Sequence, residues 1–204
     1  MATREVLLDA ATLVFAERGF AGARIDEIAA RAGVNKALIY AYYGDKKGLY
    51  RAVLAAHAAA FTDPVISETM VEEAGPRRAL EELIRRYFRT LIMDRPFARL
   101  LAWELLSHGR EGREVILESS GPLLQLLSEL VRRGRESGEL ATVLDPELFR
   151  STVIALGLGY TVQHSAMLLA RSREGTERTD EEFVDYACHL LLESPERGGE
   201  LRCA

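Results

Sequence analysis

Ile25-Asp26-Glu27-Ile28-Ala29-Ala30-Arg31-Ala32-Gly33-Val34-Asn35-Lys36-Ala37-Leu38-Ile39-Tyr40-Ala41-Tyr42-Tyr43-Gly44-Asp45-Lys46-Lys47 is the stretch that decides how this chain is read. Ile25, Ile28, Ala29 and Ala32 recur at the i, i+3, i+4, i+7 spacing that gathers apolar side chains on one stripe of a helix. Gly33 is placed to end that helix, because a left-handed residue at a helix C-terminus costs least as glycine, and Asn35 can cap a second short helix. Ala29 and Ala32 are small enough for the two helices to approach closely. Two short helices joined by such a turn outline a helix-turn-helix, whose second member enters a DNA major groove.

Outward from this stretch the helical signals continue, and no period-2 alternation lasts long enough for a sheet, so the predicted class is all-α. A first helix is expected over 3–18, with Leu7, Ala10, Ala11, Val14 and Phe15 inward, Thr3 as its cap and Gly19 at its end. A helix over 46–61, with Leu49, Val53 and Leu54 on its inner side, is the natural connector to the C-terminal part of the chain. Later helices are expected over 76–93, 97–108, 113–137, 146–169 and 180–193, with breaks at 94–96, 109–112, Gly138 and 171–179. At Gly121-Pro122 either the helix kinks or a new one begins. The tail 195–204 has little to bury.

The formal net charge of the 204 residues is −5, which by itself argues against a nucleic-acid binder. Its distribution reverses the argument. Residues 1–60 carry eight Lys and Arg against six Asp and Glu, so this region is positive by two and the remainder negative by seven. Cys188 and Cys203 form neither a metal motif nor a disulfide framework, which fits a reducing cytoplasm, and no signal-peptide pattern is read at the N-terminus. Residues 151–170 carry no charge, but Thr152, Gly157, Gly159, Thr161, Gln163, His164 and Ser165 dilute their hydrophobicity below that of a spanning helix. A helix buried in a bundle is expected there.

Residues 25–34 and 39–49 resemble the N-terminal DNA-binding domain of the tetracycline-repressor (TetR) family. The likeness lies in the Ile-Ala-x-x-Ala-Gly-Val pattern of Ile28 to Val34, a recognition helix ending in Tyr40, Tyr42 and Tyr43, and Lys46 opening the next helix with Leu49 behind it. The resemblance implies a three-helix DNA-binding domain over 1–45 and a helical effector-binding and dimerisation domain over 46–194, connected through 46–61. It implies a ligand-responsive transcriptional regulator, most often a repressor, bound as a homodimer to a palindromic operator. The sequence departs from the family pattern where Leu38 replaces a small polar residue, where Ala23 and Arg24 stand in place of a hydroxyl residue that commonly caps the second helix, and where Gly48 stands in place of a frequent acidic residue.

Phosphate contacts position a helix-turn-helix and base contacts specify its sequence. The DNA-facing candidates are Arg24, Lys36, Ala37, Leu38, Tyr40, Tyr42 and Lys46. Lys36 suits a phosphate or a guanine edge, Tyr42 and Tyr40 can donate hydroxyls to phosphate, and Lys46 sits at a helix start whose free N–H groups favour an anion. Leu38 can touch a thymine methyl but cannot hydrogen-bond a base, whereas Ile39 and Tyr43, four apart, are expected in the core.

Farther along, Tyr87, Trp103, Glu104, His108, Tyr160, His164 and Met167 set polar groups among apolar runs, the composition of a small-molecule pocket between bundle helices and equally of a core with satisfied polar residues. Glu104 and His108 are expected one helical turn apart on one face. No catalytic motif, metal-ligand set or cofactor loop is found, so no catalytic residue, metal or cofactor is assigned. The late helices supply dimer candidates: Phe183, Val184, Ala187, Cys188, Leu191 and Leu192 form a stripe on the last, and Gly157 and Gly159 permit close packing of the one before. The family resemblance implies that these two helices pair with their copies. A constitutive DNA binder without effector, and a helical enzyme or carrier, are the competing readings.

Overall fold

The structure is a computed structural model that describes residues 3–62, 72–140, 145–171 and 179–193, with the backbone alone at 3, 60–62 and 164–171. The candidate cap Thr3, the pocket candidates His164 and Met167, and Cys203 with the rest of the tail therefore lie, in their side chains, outside the described residues. Among the described residues the elements are helical throughout. They are α1 (Thr3–Gly22), α2 (Ile25–Ala32), α3 (Lys36–Tyr43), α4 (Lys46–Thr62), α5 (Pro76–Met93), α6 (Arg95–Leu106), α7 (Arg113–Glu136), α8 (Pro146–Arg171) and α9 (Asp180–Leu192).

Local chemistry sets the boundaries of the first four. Gly19 takes φ 65 and ψ 175, so the helical run breaks at the glycine expected to end it, and one further turn carries the chain to Gly22. Gly33 ends α2 in the left-handed region at φ 67, and Val34 N–H donates to Ala29 O at 3.0 Å. Asn35 then caps α3 by accepting from Ala37 N–H at 2.9 Å. Asp45 does the same for α4, accepting from Gly48 N–H at 2.7 Å. A Cβ on residue 48 would sit 2.0 Å from the Tyr43 carbonyl oxygen, so the departure from the family pattern at Gly48 goes with a tighter junction between α3 and α4.

Leu7, Val14 and Phe15 of α1, Ile28 of α2, Ile39 of α3 and Leu49 of α4 are fully buried and close the core of the N-terminal three helices. That core is continuous with the one below it. α4 packs against α1 and α3 on one side and α7 on the other, through Tyr50, Val53, Leu54 and Ala58. A polar clasp ties α4 to α1 and to the α5–α6 junction: His57 Nε2 lies 3.0 Å from the Thr12 hydroxyl on α1, and Nδ1 bonds the Asp94 carboxylate between α5 and α6.

The later helices differ from expectation in three places. Asp94 accepts from Phe97 N–H at 3.1 Å, so α6 starts at Arg95 with Pro96 in its first turn, within the expected break. At its other end α6 stops at Leu106, and His108 stands in the turn beyond it with φ 60, so Glu104 and His108 are not one turn apart on a single helix. α7 runs unbroken through Gly121-Pro122.

The expected dimer stripe is also corrected. Val184, Ala187, Cys188, Leu191 and Leu192 are buried within this chain, where α9 packs on α5, and Phe183 stacks on Tyr160 with ring centroids 3.6 Å apart. Gly157 likewise serves an internal contact, since a Cβ there would stand 2.8 to 3.0 Å from Tyr87, Leu91 and Phe88 of α5. The outward face of α9 carries Tyr186 and Leu190, 60% and 55% exposed. No helix among the described residues is long and apolar enough to cross a membrane.

Candidate functional site

The N-terminal face presents α3 to solvent along one side. Ala37, Tyr40 and Tyr42 are exposed, Leu38 is half-buried, and Ile39 is fully buried, so this helix is held from behind by Ile39 and leaves its polar and small side chains outward. Tyr43 turns inward, its hydroxyl buried without a hydrogen-bond partner among the described residues and its ring beneath the Arg4 guanidinium at 5.6 Å.

Lys36 ion-pairs with Asp26 of α2 at 3.0 Å, and that hydrogen bond raises its pKa above the ordinary lysine value. Both partners are exposed, so a phosphate competes with this pair at little cost. Arg24 is exposed in extended backbone before α2, and its side chain makes no capping bond. Lys46 is folded back: its ammonium lies 4.6 Å from the centre of the Phe20 ring and 3.4 Å from Ala21 O, and partial burial lowers its pKa. Any anion that engaged Lys46 would therefore have to draw it from its contacts with the end of α1.

A cavity of about 320 Å³ opens among α5, α6, α7 and α8. Three of the sequence candidates, Tyr87, Glu104 and His108, line it together. Two others do not. Trp103 lies on the opposite side of α6, against Gly19, and donates its indole N–H to Ala16 O at 3.2 Å. Tyr160 points toward α9, where its hydroxyl donates to Asp180 at 2.7 Å. Helical spacing groups both with the pocket because it puts aromatic residues on a face without saying which neighbour that face meets.

The wall is otherwise mostly aliphatic, with Leu101, Ile116, Leu123, Ile154 and Leu158 inside and Leu105 and Leu117 exposed at the mouth. Burial pushes the Tyr87 phenol above its ordinary range. Arg113 also lines the cavity and is not among the sequence candidates; its position as the first residue of α7 after a glycine-bounded turn is the available signal.

Glu104 has a second role. It is only 4% exposed, and its carboxylate accepts from the Tyr50 hydroxyl and from Gly112 N–H, each at 2.8 Å. Tyr50 belongs to α4 and packs edge-on to Phe15 at 4.9 Å and against Phe20 at 5.2 Å, the ring that carries Lys46. Lys47 to Glu111 at 3.1 Å and Arg51 to Glu114 at 2.7 Å tie the same side of α4 to the turn and first residues of α7. Glu104 thus lines the cavity and, through its carboxylate, holds the helix that leads to the N-terminal face. No group of three or more potential metal ligands occurs among the described residues.

Comparison with known proteins matches both the N-terminal and the C-terminal part of the chain. Residues 7–53 match the family model described as bacterial regulatory proteins, tetR family, and residues 76–183 match the tetracyclin repressor-like C-terminal domain. The HTH-type transcriptional repressor NicS of Pseudomonas putida is 31% identical over 138 residues, 67% of this chain and 65% of NicS, so the match spans just under two thirds of that relative. The fatty acid metabolism regulator protein of Bacillus subtilis is 29% identical over 147 residues, 72% of this chain and 75% of its own length. In fold, the chain is similar to the transcriptional regulator FadR from Bacillus subtilis solved in complex with stearoyl-CoA, with a TM-score of 0.69 at 23% identity over 93% of this chain and 97% of that one. With its N-terminal helix-turn-helix and its C-terminal helical body both matched, this chain belongs to the TetR family of bacterial transcriptional regulators.

Proposed function

We propose that this chain is a cytoplasmic, homodimeric repressor whose hold on a palindromic operator is released by a small molecule in the α5–α8 cavity. Residues 1–45 bind DNA, and 46–194 sense the effector and dimerise, with 46–61 connecting the two. The observation that carries the reading is the position of Glu104, which lines the cavity and holds Tyr50 of α4 at 2.8 Å. In this mechanism Lys36, Tyr40, Tyr42, Lys46 and Arg24 contact phosphates or base edges, and Ala37 and Leu38 offer apolar contact. Tyr87, Glu104 and His108 face the effector.

Release is a population shift. An effector that fits better when α4 has moved relative to α6 and α7 draws the molecule toward that state, and its differential affinity sets how far operator binding falls. The repressor sign follows NicS, a repressor by its name. The test is a small-molecule screen by thermal melting, followed by addition of each stabilising compound to the complex of the chain with the DNA upstream of its own gene. The expected result is a compound that raises Tm and releases the DNA, and that does neither in Leu105→Trp, where the indole plugs the mouth of the cavity. Stabilising compounds that never release DNA would favour a constitutive binder.

A further inference from the structure

We infer that the cavity takes a cationic amphiphile, an apolar molecule whose positively charged, hydrogen-donating end meets Glu104. The inference rests on the reading of the cavity as the effector site. Glu104 is 4% exposed, and its two hydrogen bonds come from neutral donors, the Tyr50 hydroxyl and Gly112 N–H. A carboxylate offers about four acceptor positions, so roughly two are left over. Among the described residues it has no Lys, Arg or His partner. Acceptor positions left without donors in a dry wall are costly, and an arriving ammonium group supplies the donors that the protein leaves out.

The other polar groups of the wall weigh less. Arg113 and His108 are exposed, where water and salt weaken their pull on a ligand, whereas Glu104 acts through a drier interior. The aliphatic wall formed by Leu101, Ile116, Leu123, Ile154 and Leu158 accepts the apolar body. A volume of about 320 Å³ suits a small ligand.

Three probes with one tail separate the sources of affinity: decylammonium, decanol and decanoate, each below its micelle concentration or solubility limit, titrated calorimetrically into the 204-residue chain. Decylammonium is expected to bind at least about tenfold more tightly than decanoate, with decanol between them. Glu104→Gln is expected to bring the three within about twofold of one another while decanol binding is retained. Tyr50→Phe, which leaves the carboxylate in place and frees an acceptor, is expected to keep the preference for decylammonium and serves if the Glu104 variant does not fold. Decanoate binding as tightly as decylammonium, or a preference unchanged in Glu104→Gln, would overturn the cationic assignment and leave the effector site standing. Failure of all three probes to bind would overturn the amphiphile assignment, while the screen for DNA-releasing compounds decides the effector site separately.

Discussion

At the scale of single residues, Lys46 gives the sharpest test of the proposed DNA contacts. Its ammonium rests over Phe20 and near Ala21 O, at the point where α1 meets α4, and partial burial lowers its pKa. In the proposed complex it turns from the ring to a phosphate and displaces a counterion. Lys46→Ala should therefore weaken binding to all duplexes and reduce the slope of log K against log salt by about one. Fluorescence anisotropy at several salt concentrations reads this, and an unchanged slope would remove Lys46 from the phosphate contacts. Local backbone chemistry at this scale is legible in the sequence. Gly33 and Asn35 act through their own φ and their own side chain, so their effect needs no knowledge of distant neighbours. The place of Trp103 is hidden for the opposite reason, because its partner is Gly19, far away along the chain.

At the scale of elements, α4 links the two halves. Tyr50 connects it to Glu104, Lys47 and Arg51 connect it to the turn and start of α7, and His57 connects it to α1 and to the α5–α6 junction. Tyr50→Phe leaves one oxygen of a buried carboxylate without its donor and should destabilise the fold by about 1–3 kcal/mol. Urea unfolding measures this, and an unchanged midpoint would mean that the hydrogen bond is not made in solution. The place of α4 between its neighbours is readable from Leu49, Val53 and Leu54, all three fully buried as their spacing predicts. The end of α6 is not. Its last turn gives way to a His108-Gly109 pair with φ of 60 and 69, a geometry set by the Glu104 bond to Gly112 and by packing against α4, neither of which leaves a periodic signal.

At the scale of the whole molecule, the proposed dimer must use surface that the monomer leaves uncovered. The buried stripe of α9 is committed to α5, so we place the partner-facing side of the proposed dimer on exposed Tyr186 and Leu190, together with exposed Leu148 and Val162 of α8. Leu190→Glu should shift the chain from dimer to monomer in size-exclusion chromatography with light scattering and weaken operator binding with it, since each protomer supplies one recognition helix. A variant that stays dimeric would place the interface elsewhere. Helical periodicity predicts that α9 is amphipathic, but two helices can share an apolar stripe within one chain or across two, and periodicity is the same in both cases.

The most direct test of the account is DNase I footprinting of the wild-type chain on the DNA upstream of its own gene. The prediction is protection of two symmetry-related half-sites whose centres lie about 34 Å apart or a multiple of that distance, lost in Lys46→Ala at the same protein concentration. Absence of any site protected above non-specific DNA, or a single unsymmetrical one, would contradict it.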